Sequence, residues 1–364
     1  MNKSINRGIN QVTSELALEG PKDAFNEVLD MNLELIKSRI KKDLEITKLN
    51  VGKYTKTKIY ILRINSIGKK ELVNEIKRKI SNITIDGIVD SSYLKKYLRE
   101  RSNAFPTIVE TERPDKCVMA LLEGKIVILT DNSPYSLILP NFFFDYFHTT
   151  DDYYQSNLNT SFIRIIRLFA FLIAIFTPAI YISVTTRDYS LIPLPLLLTL
   201  KAGRNLVPFP AYIEGILMMI SFEILKESDL RRSTTSNSSI SILGGLILGN
   251  AAVTAGLVSP IMIIVIAISS ISALIFQSIE FSNTIRFYQY NFLILSTLLG
   301  VLGIIIGIIN LVISLFETKT FGLRYLSLNK NEILDSFIKK DTKVLKRNSY
   351  LTNNETRGKL WKNK

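Results

Sequence analysis

The sequence predicts an α/β cytoplasmic domain followed by an all-α multi-span membrane domain with a short cytoplasmic tail. Three observations predict it. First, no Asp, Glu, Lys or Arg occurs from Ser233 to Ile279, and two more uncharged runs cover Leu168–Thr186 and Phe287–Phe316. A spanning helix needs about 20 apolar residues to cross roughly 30 Å of hydrocarbon. The first run has room for two helices and each of the others for one. Second, residues before about Ser161 are rich in Lys, Glu, Asp and Asn, and short strand-like and helix-like runs alternate there. Third, the segment after Phe316 holds 12 Lys/Arg against 5 Asp/Glu, a net +7, which argues for a cytoplasmic tail. Mean hydropathy is +0.21 and net charge +13 over 364 residues, averages that hide the split.

The α/β domain is expected over 1–160. Phe25, Leu29, Leu33, Ile36 and Ile40 recur at helical spacing, so Pro21–Ile40 reads as an amphipathic helix with Pro at its start. Lys58–Ile64 (KIYILRI) is a short β-rich run. Leu72, Val73, Ile76 and Ile80 place one apolar face on a helix over Lys69–Ser81. Ile83–Ile88 reads as a strand, Ser91–Arg101 and Thr111–Leu122 as helices, and Lys125–Thr130 as a strand. Asp131-Asn132-Ser133-Pro134 supplies turn chemistry, and Tyr135–Leu139 closes a hairpin. Strands alternating with helices give an α/β class. The start MNKSINRGIN has no apolar core of a signal peptide, so this domain is expected on the cytoplasmic side.

The membrane domain is expected over 161–317, with spans at about 162–184, 240–257, 259–276 and 288–316. Arg164 and Arg167 are expected to snorkel at the start of the first span. Between the first two spans, 191–227 is broken by Pro193, Pro195, Pro208 and Pro210, and reads as a re-entrant or interfacial element. Glu214 and Glu223 lie in it on roughly opposite faces of a helix. Either both acids are solvated or paired with Lys201, Arg204 or Lys226, or they mark an ion path, Glu214 ahead of Glu223. Gly245, Gly249 and Gly256 in one segment, and Gly300, Gly303 and Gly307 in another, form small-residue seams that let helices approach closely. Ser259-Pro260 ends one helix and starts the next. The basic tail covers 318–364, and its Asn, Lys and Thr content after Lys339 reads as poorly ordered.

Composition excludes most soluble-enzyme readings. No Gly-rich phosphate loop, paired cysteine or Ser-His-Asp set stands out, so no catalytic, cofactor or metal residue is expected. The lone His148 beside the membrane entry reads as structural, and the lone Cys117 as a buried small hydrophobe. The basic excess is spread through both polar segments without a recognition module, which argues for anionic lipid rather than nucleic acid.

NAAVTAGLVSPIMIIVIAIS (Asn250–Ser269) and VPFPAYIEGILMMISFEILKE (Val207–Glu227) resemble two signature stretches of GerA-type spore germination proteins, the A subunits of nutrient germinant receptors. ALEGPKDAFNEVLDMNLELIKSRI, IDGIVDSSYL, TERPDKCVMALLEGKIVIL and ETKTFGLRYLS follow in the family's order, so the likeness runs from about Ser14 to Ser327. The resemblance implies a non-enzymatic membrane protein of sporulation, seated in the spore inner membrane. It implies a permease-like B subunit and a lipoprotein C subunit as partners, and a homo-oligomer around an ion path opened by nutrient. Two departures stand out. Members of the family usually begin with a further soluble subdomain ahead of the segment matching Glu19-Gly20-Pro21, and the resemblance leads us to expect this chain to lack it. The segment after Glu227 lacks the expected prolines, and Asn250 replaces a common Gln. Two rival readings are a secondary transporter with a broken-helix site at Pro208–Glu223 and a non-conducting scaffold.

Overall fold

The computed structural model describes residues 10–12, 15, 19–100, 104–230, 245, 249–326, 337–339, 348 and 350–352. The chain divides into two compact units. One is Met1–Ile165 with Ser314–Lys364, and the other is Ile166–Ile313.

The first unit is α/β. Short strands β1 (Asn10–Gln11) and β2 (Asp23–Ala24) pair with each other. They are followed by α1 (Leu29–Lys37), β3 (Leu44–Val51), β4 (Thr57–Ile64), α2 (Lys70–Ser81) and α3 (Ser91–Leu98). Then come β5 (Val109–Thr111), α4 (Pro114–Leu122), β6 (Ile126–Thr130) and β7 (Ser136–Leu139). The five longer strands form one antiparallel sheet in the order β3-β4-β6-β7-β5. Side chains alternate across a strand. Ile59, Ile61, Ile126, Ile128, Leu137 and Leu139 therefore bury against α2 and α3, through Ile76, Ile80 and Leu94. Tyr60, Leu62, Val127 and Leu129 bury on the other face, against Leu33 and Ile36 of α1 and Leu121 of α4. Covering both faces makes β4 and β6 read as apolar runs rather than as alternating ones.

Local chemistry corrects several boundaries. The first helix begins at Leu29, not Pro21, because Asp23–Ala24 is already a strand. Asn26 and Asn32 also lock the entry: the N–H of Asn26 donates to Asn32 Oδ1 at 2.8 Å and Asn32 Nδ2 donates to Asn26 O at 2.6 Å. Thr111 ends β5, and α4 starts at Pro114, whose missing N–H costs nothing in a first turn. Ile83–Ile88 is not a strand. Its period-two burial is that of extended chain, but its backbone partners are the turn residues Lys53 and Tyr54 rather than a neighbouring strand. β3 is absent from the sequence reading because its Glu45, Thr47 and Lys48 interrupt the apolar pattern on an edge strand.

The segment after the last long helix is not a separate tail throughout. Strands β8 (Lys319–Thr320) and β9 (Leu323–Arg324) form a hairpin. Phe321 and Leu351 lie in the apolar core with β4 and β6, and Tyr325 is fully buried. The remainder of 327–364 falls mostly outside the described residues.

The second unit is helical. A short helix α5 (Asp151–Tyr154) leads into α6 (Asn157–Thr186), which begins in the first unit. Then follow α7 (Leu194–Ala202), α8 (Ala211–Leu230), a helical stretch at 249–254, α9 (Pro260–Leu274), α10 (Ile279–Leu299) and α11 (Val301–Glu317). Among the described residues, α6 is the one helix long and apolar enough to cross a membrane; α9 and α11 are apolar but shorter. Arg164 does not snorkel: it is buried in the first unit, where its Nε donates to Asp152 Oδ2 at 3.1 Å.

The single helix expected over 288–316 is two. Gly300 adopts φ +62°, accessible at low cost only to glycine, and separates α10 from α11. The run is uncharged on both sides of the break, so composition does not register it. The element expected at 191–227 consists of α7, an irregular loop at 203–210 holding Pro208 and Pro210, and the regular helix α8. Residues 240–244 and 246–248 of another expected span lie outside the described residues.

Candidate functional site

The helical unit is polar in places inside and apolar outside. Its large exposed side chains include Phe169, Ile180, Leu194, Ile220, Ile271, Leu298 and Ile309, whereas Glu214, Ser183, Ser259, Ser269 and Ser296 are fully buried. A soluble protein buries charge rarely and only with partners. The buried polar groups are therefore the candidate site.

Glu214 is its centre. Ala211 follows Pro210 and opens α8, which puts Glu214 in the first turn, where a negative charge is favoured by the helix dipole. Glu214 Oε1 accepts from Arg204 Nη2 at 2.9 Å, and Oε2 accepts from the backbone N–H of Ser259 at 2.9 Å. Ser259 is itself the N-cap of α9: its Oγ accepts from Met262 N at 3.3 Å, and Pro260 occupies the first helical position. The carboxylate thus lies at the positive ends of two helices and beside a guanidinium. Ile182, Ala211, Val258, Met218 and Met262 form the apolar shell on this core.

A second polar layer lies further along α8 and α10. Glu223 pairs with Arg286, and Lys226 Nζ donates to Ser282 Oγ at 2.9 Å. A third set joins three helices: Gln289 Nε2 donates to Ser269 Oγ at 2.6 Å, and Ser269 Oγ donates to the carbonyl of Ala174 at 2.6 Å. Interhelical bonds of this kind hold helices together where water is excluded. At another end, Asp188 Oδ2 accepts from Ser183 Oγ at 2.7 Å and from Val301 N at 2.8 Å, capping α11 from outside its own sequence.

Of the residues singled out by sequence, Glu214 is buried and paired with Arg204, one of the cations anticipated for it. Glu223 is half-buried against Arg286, and the two acids sit in separate clusters. Pro208 and Pro210 bound the loop before α8, and Ser259 and Pro260 start α9, as spacing implied. The glycines divide. Gly303 and Gly307 serve α10–α11 packing within the chain: an added Cβ would lie 2.0 Å from Leu295 O and 2.5 Å from the Phe292 ring, respectively. An added Cβ at Gly300 would meet Asp188 Oδ2 at 2.2 Å. Gly245 and Gly249 have looser neighbours, Leu225 Cδ1 at 3.9 Å and Ile263 Cγ2 at 3.8 Å. Gly256, at φ +66°, ends the helical stretch ahead of Ser259. Arg286, Ser269, Gln289 and Asp188 escaped the sequence reading.

Among the described residues, no cluster of His, Cys, Asp and Glu fits a metal ion. Cys117 is buried, with Sγ 2.9 Å from Ser136 Oγ. The Ser136 hydroxyl spends its one hydrogen on the carbonyl of Thr111 at 3.0 Å, so the thiol is the donor in that pair. Burial pushes the thiol up to about 12. The α/β unit also holds a cleft of about 430 Å³ between Leu49–Lys53 and Ile80–Asp86, lined by no residue that the sequence reading assigned to function.

The profile of a family described as Bacillus/Clostridium GerA spore germination protein matches residues 1–350. The chain is similar to spore germination protein KA of Bacillus subtilis (strain 168), 35% identical over 88% of this chain and 59% of that protein. It is also similar to the uncharacterized membrane protein YfkQ of Bacillus subtilis (strain 168), 33% identical over 92% of this chain and 66% of that one. The chain thus spans less than two thirds of the length of these two relatives. It is similar, too, to the solved N-terminal domain of the A subunit of the Bacillus megaterium spore germinant receptor GerK3. That match is 38% identical, covers 33% of this chain and 97% of the solved one, and has a TM-score of 0.28. With the profile reaching across nearly all of its sequence, the chain belongs to the GerA family of Bacillus and Clostridium spore germination proteins.

Proposed function

We propose that the chain is the membrane-embedded A-type subunit of a spore nutrient germinant receptor. In this reading it has no enzymatic activity. Copies of it associate in the spore inner membrane with a permease-like B subunit and a lipoprotein C subunit, and together they form or gate an ion path. The observation that carries the reading is the inverted polarity of the helical unit. Glu214, Ser259, Ser269 and Gln289 are buried, while leucines and isoleucines dominate its surface. Such a surface is stable in lipid and a liability in water.

Both oxygens of Glu214 are occupied within the chain. Glu214 therefore shapes the path as a fixed charge that holds the 203–210 loop against the start of α9. Glu223 and Arg286, both part-exposed, are the groups positioned to meet a permeating ion or a neighbouring helix. The experiment is reconstitution of the subunit with its B and C partners in ion-loaded liposomes. Nutrient should trigger rapid dissipation of the gradient, and Glu223→Gln should reduce the flux at unchanged protein level. Slow, saturable exchange would favour the transporter reading, and an intact gradient the scaffold.

A further inference from the structure

The β3–β4 hairpin tip and α3 carry exposed tyrosines on the α/β unit. Among the described residues up to 150, the large apolar side chains left exposed are Tyr54, Val89, Tyr93, Tyr97 and Leu122. Tyr54 sits at the tip of the β3–β4 hairpin and is 74% exposed. Val89, Tyr93 and Tyr97, at 64%, 49% and 48%, follow at helical spacing into and along α3. The tip is fastened to the chain just before α3. Tyr54 N donates to Asp86 O at 2.8 Å, Ile88 N donates to Thr55 Oγ1 at 3.1 Å, and Thr57 Oγ1 donates to Ile88 O at 2.7 Å. The patch is therefore preformed and binds without paying to order a loop.

Lysines interleave with the aromatics. Lys53, Lys56 and Lys96 are exposed, and Lys53 Nζ stands 5.3 Å from the Tyr54 ring centroid. Of the nearby acids, Asp86 is exposed, while Asp90 is engaged by Ser92 N and Ser133 Oγ. The centre of a protein–protein interface is depleted of lysine and rich in packed apolar groups. Tyrosine beside lysine is the composition of a bilayer's interfacial layer. There the ring sits at headgroup depth and the ammonium meets anionic lipid.

We propose that the surface formed by Tyr54, Val89, Tyr93 and Tyr97 with Lys53, Lys56 and Lys96 rests on an anionic lipid headgroup layer. The proposal rests on the membrane reading above, and its test separates the two. The full chain is reconstituted in vesicles of phosphatidylglycerol and phosphatidylcholine, with a fluorophore on Ser92→Cys beside the patch. Comparison labels go on Glu34→Cys, on the exposed face of α1, and on Leu172→Cys in α6. Buried Cys117 is replaced by Ala in all three.

Headgroup spin-labelled lipid should quench the label at 92 at least about twofold more than the label at 34. Replacing Lys53 and Lys56 by Glu, or the phosphatidylglycerol by phosphatidylcholine, should lower the lipid-contacting fraction roughly tenfold. Equal quenching at 92 and 34, or quenching at 92 that ignores lipid charge, overturns the proposal. Acyl-chain quenching at 172 reports on membrane insertion separately. Its presence without quenching at 92 defeats the headgroup contact alone, whereas its absence defeats the membrane reading beneath it.

Discussion

The carboxylate of Glu214 accepts the backbone N–H of Ser259, 45 residues further along, at 2.9 Å. With its other oxygen it accepts from Arg204. One buried charge thereby joins the two irregular stretches of the helical unit, the 203–210 loop and the turn before α9. Irregular backbone buried among apolar helices survives only where its polar groups are satisfied by protein. Glu214 supplies that satisfaction to Ser259, and Arg204 makes its charge tolerable.

Glu214→Gln should therefore destabilise the helical unit by about 3–5 kcal/mol, because it leaves the Arg204 guanidinium without its counter-charge. Arg204→Met should cost a similar amount by stranding the carboxylate. The double variant should cost less than the sum, since the second change removes the charge that the first left unpaired. Thermal unfolding of the four proteins in one detergent measures this. Additive losses would show that the two groups do not depend on each other.

The glycines split into two classes with opposite expected responses. Gly303→Ala places a methyl 2.0 Å from the Leu295 carbonyl, a backbone atom that cannot rotate away, and should destabilise the α10–α11 pair by about 1–3 kcal/mol. Gly249→Ala meets nothing closer than 3.8 Å among the described residues and removes a flexible residue from a helix, so it should be neutral or stabilising by up to about 1 kcal/mol. Melting temperatures that fall equally for both variants would contradict this division.

How legible these features were depended on the physics involved. The helix of α2 and the β6–β7 hairpin were readable because their apolar spacing matches one period and their ends carry recognisable turn chemistry. The Ser259-Pro260 start of α9 was readable for the same reason: capping is local. The break at Gly300 was not, because a single φ within an uncharged run leaves no trace in hydropathy. Asp188 was not legible as the cap of α11 because its target, Val301, is remote in sequence. The buried position of Leu351 depends on tertiary packing alone, against a compositional background that reads as tail. At the candidate site, Glu214 stood out as a charge in an apolar stretch, and Arg204 was among its anticipated cations. Arg286, partner of Glu223, lies near a predicted helix start and so reads as an ordinary interfacial charge.

Cys117 gives a pH signature. Burial holds the thiol protonated up to about 12, above its usual value near 9. A raised folded pKa means that the folded state keeps a proton which the unfolded state releases. The stabilising contribution is complete below about pH 9 and declines as pH rises from there toward 12. Melting temperature of the parent should fall across that window more steeply than that of Cys117→Ala. At pH 8 the folded thiol should also resist alkylation until the protein unfolds, because the thiolate is the reactive form. Rapid alkylation of the native protein, or parallel pH profiles, would refute the assignment.

Tyr325 anchors the segment that follows α11. Its ring is fully buried, 5.9 Å from the Phe105 ring and 6.4 Å from that of Phe143, and its carbonyl accepts from Phe143 N at 3.3 Å. Burial raises the phenol's pKa well above its ordinary range. Among the described residues the hydroxyl has no hydrogen-bond partner, although it is sealed from solvent. A buried donor without a partner costs about 1–3 kcal/mol, while the ring itself contributes by burial and aromatic contact. The two parts are separable by mutation. Tyr325→Phe keeps the ring and removes the unsatisfied hydroxyl, so it should be neutral or stabilising by about 1 kcal/mol. Tyr325→Ala leaves a cavity and should destabilise the α/β unit by about 3–5 kcal/mol. Thermal denaturation of both variants against the parent decides the matter. A loss in Tyr325→Phe comparable to that in Tyr325→Ala would mean that the hydroxyl has a partner which the fold depends on.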